Sequence, residues 1–277
     1  MRIDSHVHLW KYDPEQYGWI SPEAKVLQCN YLPDDLAKLQ EPLGFDGAVA
    51  VQARQTLEET EFLLGLANEH ENVLGVVGWV DLRGDEVEAQ LERFANHPAF
   101  CGVRHVVQDE PDDRFIVRDD FVRGVRALTS FDLVYDILIY HRQLPATLEF
   151  VEMFPDQSFV INHNAKPDYK SGELEPWATH MRELARCPNV SCKASGMVSD
   201  FRDERWPAGT FEPYLDVVFE AFGTDRVMIA SDWPVCLLGA GYADTLKVVT
   251  DYICTLTANE QEAVLGGNAM RVYGIGS

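Results

Sequence analysis

Eight apolar or β-branched runs alternate with helix-patterned segments along almost the whole chain, and this alternation limits the fold more than any other feature. The runs are RIDSHVHLW (2–10), GAVAVQA (47–53), VLGVVGWVD (73–81), FCGVRHVVQ (100–108), LVYDILIY (133–140), SFVINHN (158–164), NVSCKAS (189–195) and RVMIASDWP (226–234). Between them lie segments of helical period. EETEFLLGLANEH sets Phe62, Leu63, Leu66 and Ala67 on one face, and DEVEAQLERFANHP does the same with Val87, Leu91, Phe94 and Ala95. PYLDVVFEAFG ends in Gly223, a residue suited to a helix C-terminus, and TANEQEAVL opens with a capping-box pattern from Thr257 to Glu260. Near-continuous apolar strands separated by helices indicate a parallel sheet covered on both faces. Eight such units predict an α/β fold closed into a single (β/α)8 barrel, the TIM-barrel architecture.

The competing architecture is an open doubly wound sheet. No G-x-G-x-x-G follows the first run, which argues against a dinucleotide-binding version. Residues from about 165 to 187 and from about 198 to 212 read as extended loops over one end. With no linker, low-complexity tract or internal repeat, residues 1–277 are expected to form one domain.

A formal net charge of −22 argues against a nucleic-acid partner, which would want a basic face on the protein. No apolar run approaches the roughly 20 residues needed to span a bilayer, so no membrane partner is expected. The chain opens on a strand-like segment without a basic and apolar leader, and its six cysteines are scattered with no C-x-x-C pair. Reduced thiols in a cytoplasmic protein are the expectation.

Chemistry in such a barrel sits at the C-terminal ends of the strands. Polar side chains are concentrated there: His6 and His8 on the first run, then Gln52 with Arg54, Trp79 with Asp81, and Arg104 with His105 and Gln108. The later runs carry Asp136 with Tyr140 and His141, then His163 with Lys166, then Lys193, and finally Ser231-Asp232-Trp233-Pro234. Singly, each has an ordinary explanation. His6 and His8 can be a hydrogen-bonded core pair, Asp232 a turn residue, Arg104 and His105 a surface ion pair, and Asp136 a local cap. Lys166 and Lys193 can be rim lysines, and Trp10, Trp79 and Trp233 core aromatics or sugar platforms. Together, ionisable groups converging on one rim are costly unless paired, metal-bound or functional. His6, His8, His163 and Asp232 form an N/O set suited to Zn²⁺ or a similar divalent ion.

The H-x-H of the first strand, the His of the sixth and the Asp of the eighth resemble the amidohydrolase superfamily. The stretches IDSHVHLWKYDPEQYGWI, LPDDL, VQARQTLEET, GVVGWVDL, GVRHVVQDEPDD, FVINHNAKP, CKASG, SDWPVCLL and GGNAMRVYG are similar, more closely, to the sugar-lactonase group of the amidohydrolase 2 family, which includes L-fuconolactone and L-rhamnonolactone hydrolases. They cover essentially the whole chain.

The resemblance implies a hydrolase of carboxylic ester bonds acting on a small-molecule sugar lactone, with L-fuconolactone and a place in L-fucose degradation as the first expectation. It assigns metal binding to His6, His8, His163 and Asp232. The usual fifth-strand ligand, a modified Lys or a His, is absent, and that strand carries Asp136. One divalent ion, zinc, is therefore the expected maximum, and some similar lactonases work with none.

Lactone hydrolysis needs an activated water, a polarised carbonyl and a stabilised oxyanion. Asp232, His163, Arg104 and His105 are the candidate catalytic residues. Trp10, Gln52, Arg54, Asp136, Lys166, Lys193 and Trp233 are the candidate substrate-binding residues. A metal-dependent decarboxylase of the same family is the nearest alternative, and a barrel that binds a sugar acid without turnover is the alternative from another class.

Overall fold

The computed structural model describes residues 1–202 and 205–276. Its centre is a sheet of parallel strands in the order β1 to β8: β1 Ile3–Val7, β2 Gly47–Val51, β3 Val73–Gly78, β4 Phe100–His105, β5 Val134–Ile137, β6 Phe159–Ile161, β7 Val190–Ala194 and β8 Val227–Ile229. Helices follow the strands: α1 Pro33–Gln40, α2 Leu57–Glu69, α3 Val87–Ala95, α4 Asp119–Leu128, α5 Leu144–Glu152, α6 Trp177–Leu184, α7 Glu212–Phe222 and α8 Tyr242–Ile253. Two short helices, α9 Ala258–Glu262 and α10 Asn268–Tyr273, end the described chain. This is the (β/α)8 barrel that the alternation predicts, and the open sheet is ruled out by its closure.

Closure happens beyond the ladder of β8. His8 N–H donates to Trp233 O at 2.6 Å and Asp232 N–H to His6 O at 3.0 Å. Lower on the same seam, side chains stand in for ladder bonds. Ser5 Oγ donates to Ile229 O at 2.8 Å, and Asp4 Oδ1 accepts the Ser231 N–H at 2.9 Å. Burial pushes the Asp4 carboxyl up to about 6 against those hydrogen bonds.

Strand alternation divides the core into two layers. Ile3, Val49, Val51, Val77, Cys101, Val134, Val160 and Met228 fill the lower barrel, and Ala269, Tyr273 and Ile275 of the C-terminal segment pack against them from below. The opposite faces, including Ala48, Ala50, Val76, Val103, Tyr135, Ile137, Phe159 and Ile161, pack under the helices.

Local signals explain the helix ends. Thr56 caps α2 by accepting the Glu59 N–H at 3.2 Å. The capping box closes in both directions, with Thr257 N–H on Glu260 Oε2 at 2.9 Å and Glu260 N–H on Thr257 Oγ1 at 3.4 Å. Gly223 follows α7 at φ 69°.

The loop expected over about 165 to 187 is overturned in its second half, where α6 buries Trp177, Ala178, Met181 and Leu184. The segment around 198–212 holds a 3-10 turn at Val198–Asp200 and then leads into α7. No helix among the described residues is long and apolar enough to cross a membrane.

Gly124 lets α4 approach the chain after β3: a Cβ there would lie 1.7 Å from Leu82 O. Gly124→Ala is expected to lower stability by about 3 kcal/mol through forced displacement of that backbone, read as a fall in the urea unfolding midpoint. A midpoint equal to wild type would show that α4 is not held at this distance.

Candidate active site

Above the apolar floor the barrel interior turns polar. Inward positions of β1, β4, β5 and β7 carry His6, Arg104, Asp136 and Lys193, all buried, with Asn162 just past β6. Lys193 Nζ donates to Asp136 Oδ2 at 2.6 Å, Asn162 Nδ2 to the same oxygen at 2.9 Å, and the Tyr273 hydroxyl to Oδ1 at 2.8 Å. Asp136 is thus fully occupied by the protein and does not reach the cavity. Its part is to hold Lys193, and the expected contact with substrate is corrected accordingly.

Arg104 donates through Nη2 to Gln52 O and lies 3.4 Å from Asn162 Oδ1 through Nη1. Its Nη1 also stands 3.2 Å from His6 Nε2, while Lys193 Nζ stands 3.4 Å from His6 Nδ1. A neutral imidazole has one acceptor nitrogen, so it serves one of these cations at a time. Burial, then Lys193 and the neighbouring rings, hold the His6 pKa well below the ordinary value. Burial alone lowers Arg104 to about 10, so it remains cationic at neutral pH.

The rim above this tier is made by His8, His163 and Asp232. His8 Nδ1 donates to Val51 O at 2.8 Å, which fixes the tautomer and leaves the Nε2 lone pair facing inward. That nitrogen lies 3.3 Å from Asp232 Oδ1, and the Nε2 atoms of His6 and His163 each lie 3.7 Å from the same oxygen. Asp232 Oδ1 is buried without a hydrogen-bond donor. Burial raises its carboxyl, but the neighbouring His163 and His8 rings and the Lys166 ammonium outweigh it and hold the group below the ordinary value. Burial takes His163 down to about 3, so its ring is neutral.

Two acceptors facing each other at 3.3 Å call for a proton or a cation between them. His6, His8 and Asp232 offer ligand atoms within 4.8 Å of one another, a set that could bind a metal ion. A second ion would meet Arg104 and Lys193, which already fill that flank with positive charge.

The backbone that presents these groups is strained. His163, Asn164, Ala165 and Lys166 form a left-handed turn with φ of 55°, 52°, 55° and 46°, and Asp232 has φ 61°. Ties compensate: Trp177 Nε1 donates to Asn164 O at 2.7 Å, Asn164 Nδ2 to the Tyr169 hydroxyl at 3.0 Å, and Ser195 Oγ meets His163 Nδ1 at 2.8 Å. Gly196 leaves room for the ring, since a Cβ there would lie 2.7 Å from His163 Cβ.

A cavity of about 390 Å³ opens over this rim. His8, Arg54, Arg104, His163, Lys166 and Asp232 line it. His6 and Lys193 lie buried behind the rim, and Gln52 turns its amide to Arg104 O at 3.1 Å. His105 does not face the cavity. Next to inward Arg104 it points outward, stacks on Phe115 at 5.1 Å and bonds to Glu110 at 2.8 Å, so its catalytic assignment is withdrawn. Trp10 and Trp233 are also displaced from the substrate-binding set: both are buried and pack around Tyr31.

The cavity adds residues that the strand-end reading missed. Gln16, Gly18 and Trp19 come from the loop after β1, and Gln55 and Thr56 from the turn before α2. No periodicity marks them. Trp19 in DPEQYGWI was detectable only as a large aromatic in a loop otherwise rich in polar residues.

Comparison with known proteins agrees with this geometry. The model of the amidohydrolase family matches residues 3–275. The L-fucono-1,5-lactonase of Burkholderia multivorans is 39% identical over 99% of this chain and 96% of its own length. The L-fucono-1,5-lactonase of Burkholderia ambifaria is 35% identical over the same shares. A crystal structure of an amidohydrolase from B. multivorans with bound Zn superposes with a TM-score of 0.95 at 39% identity, covering 99% of both chains.

The buried Lys193–Asp136 pair generates a stability prediction. Lys193→Met leaves Asp136 uncompensated and is expected to cost about 3–5 kcal/mol. Adding Asp136→Asn removes the buried charge and should recover at least half of that loss in urea unfolding. Additive losses in the double variant would refute the pairing.

Proposed function

Because the chain belongs to the amidohydrolase family, we propose that it hydrolyses a sugar-derived lactone, L-fuconolactone first, to the sugar acid. The enzyme is a hydrolase of carboxylic ester bonds, and its partner is a small-molecule lactone. In this reading it acts in the cytoplasm in L-fucose degradation. The observation that carries the reaction is Asp232 Oδ1, an ionised acceptor without a donor, at the floor of an open cavity and beside the neutral rings of His6 and His163.

The chemistry follows from what each group can accept or donate. Asp232 takes a proton from water as the water oxygen attacks the lactone carbonyl carbon. Arg104, still cationic, stabilises charge gathering on the carbonyl oxygen. Lys166 Nζ donates to Gln108 Oε1 at 2.6 Å, which leaves other N–H groups for a sugar hydroxyl or the departing ring oxygen. Breaking the ring C–O bond with proton transfer to that oxygen yields the open hydroxy acid.

His6, His8 and Asp232, with His163 beside them, would hold one divalent ion, zinc in this reading. Such an ion supplies Lewis acidity to the carbonyl or lowers the pKa of a bound water.

Asp232→Asn is the direct test. Turnover of L-fuconolactone, followed as proton release, is expected to fall at least about a thousandfold, with far-UV circular dichroism unchanged. Near-normal turnover would remove Asp232 as the base. Elemental analysis of the purified protein is expected to find one equivalent of zinc, and chelation to lower kcat until the ion is restored. Full activity in protein shown to be metal-free would assign the histidines to direct substrate contact.

A further inference from the structure

One wall of the cavity carries no group that takes part in the reaction. It is built from the loop between β1 and α1, which contributes Gln16, Gly18 and Trp19. Trp19 is 47% exposed, whereas Trp10 and Trp233 are 0% and 1% exposed. Trp10 meets Trp19 nearly perpendicularly, at 5.7 Å and 84°, and supports the ring from within the loop. An indole half in water at the edge of the cavity presents an apolar surface to whatever binds there.

The loop does not hang free. Glu59, in the first turn of α2, is fully buried and accepts three hydrogen bonds. They come from Ala53 N–H at 3.0 Å, Arg54 Nε at 2.7 Å and the Tyr17 hydroxyl at 3.3 Å. The Arg54 guanidinium also donates to Gln16 Oε1 and stands over the Tyr17 ring at 5.0 Å. Residues 16 and 17 are thereby fastened to the connection after β2, and Trp19 follows two residues later. Two of the three guanidinium nitrogens of Arg54, Nε and Nη1, are committed to this clasp, so at the cavity wall it holds the loop in place.

From this arrangement we propose that Trp19 is the stacking surface for the sugar ring and sets selectivity for hydroxylated lactones, and that Arg54 is a positioning residue acting through it. The C–H face of a sugar lactone is a flat apolar patch edged by hydroxyls. A fixed indole buries that patch, while Gln108, Lys166 and the rim serve the hydroxyls. The inference rests on the sugar-lactonase reading and deepens it.

The test compares L-fuconolactone with unsubstituted δ-valerolactone, which has no sugar face to stack. Trp19→Ala is expected to raise KM for L-fuconolactone about tenfold and to lower the kcat/KM ratio of sugar to unsubstituted lactone to match, with kcat on the sugar within about threefold. Trp19→Phe should restore most of the preference. Arg54→Gln should shift KM in the same direction, and the double variant Trp19→Ala/Arg54→Gln should be no worse than the more affected single variant. Multiplying losses in the double variant would put Arg54 on the substrate and overturn its positioning role. An unaltered KM in Trp19→Ala, or an equal loss on both lactones, would overturn the stacking surface.

If wild-type protein opens neither lactone, the reaction reading fails, and stacking is then judged by binding. L-fuconate should quench indole fluorescence in the wild type and lose that quenching in Trp19→Phe. Equal quenching in both would reject Trp19.

Discussion

The seam between the first strand and the segment after the eighth is the constraint on which the rest depends. A parallel barrel must close on itself, and here the closing backbone bonds run from His6 to Asp232 and from His8 to Trp233. The residues that complete the cylinder therefore also place two imidazoles and a carboxylate within reach of one another. Asp4 and Ser5 finish the stitching lower down with side-chain bonds where β8 is too short to pair. Site geometry is in this sense a by-product of closure, and it is as rigid as the barrel.

The second organising element is electrostatic. Arg104 and Lys193 are two buried cations that would be intolerable in an apolar barrel. They are accommodated by Asp136, Asn162 and backbone carbonyls. Burial first, and then the neighbouring cations, keep His6 and His163 neutral, which is the form that can accept a proton or bind a metal. At the cavity floor the negative charge is that of Asp232, so the reacting end of the site sets one carboxylate among cationic groups. A substrate that develops negative charge at its carbonyl oxygen suits that field.

Much of this was legible in the sequence. Eight apolar runs became eight strands because covered parallel strands need continuous apolar runs. His6, His8, His163 and Asp232 were found because polar groups at strand ends have few bland explanations when they recur in one ring. Other features depend on information that a linear pattern does not carry. Arg104 and His105 are adjacent and both polar, and only the phase of the strand sends one inward and the other against Phe115. Asp136 looked available until Lys193, Asn162 and Tyr273, all distant in the chain, were seen to occupy it. Arg54 has a carboxylate partner five residues away, but its link to Gln16 depends on how the first loop folds back. The α6 helix was missed: Trp177, Ala178, Met181 and Leu184 have helical spacing, but the turn residues before them made the whole segment read as a loop.

Tyr273 has a consequence for how dry the innermost charges of the barrel are. Its hydroxyl enters the barrel from beneath and meets Asp136, and its ring lies 5.2 Å from Lys193 Nζ. With Ala269 and Ile275 it packs under the lower barrel, so α10 and the residues after it act as a stopper on the side opposite the cavity. The charge tier is thus sealed by a residue far in sequence from the histidines it serves.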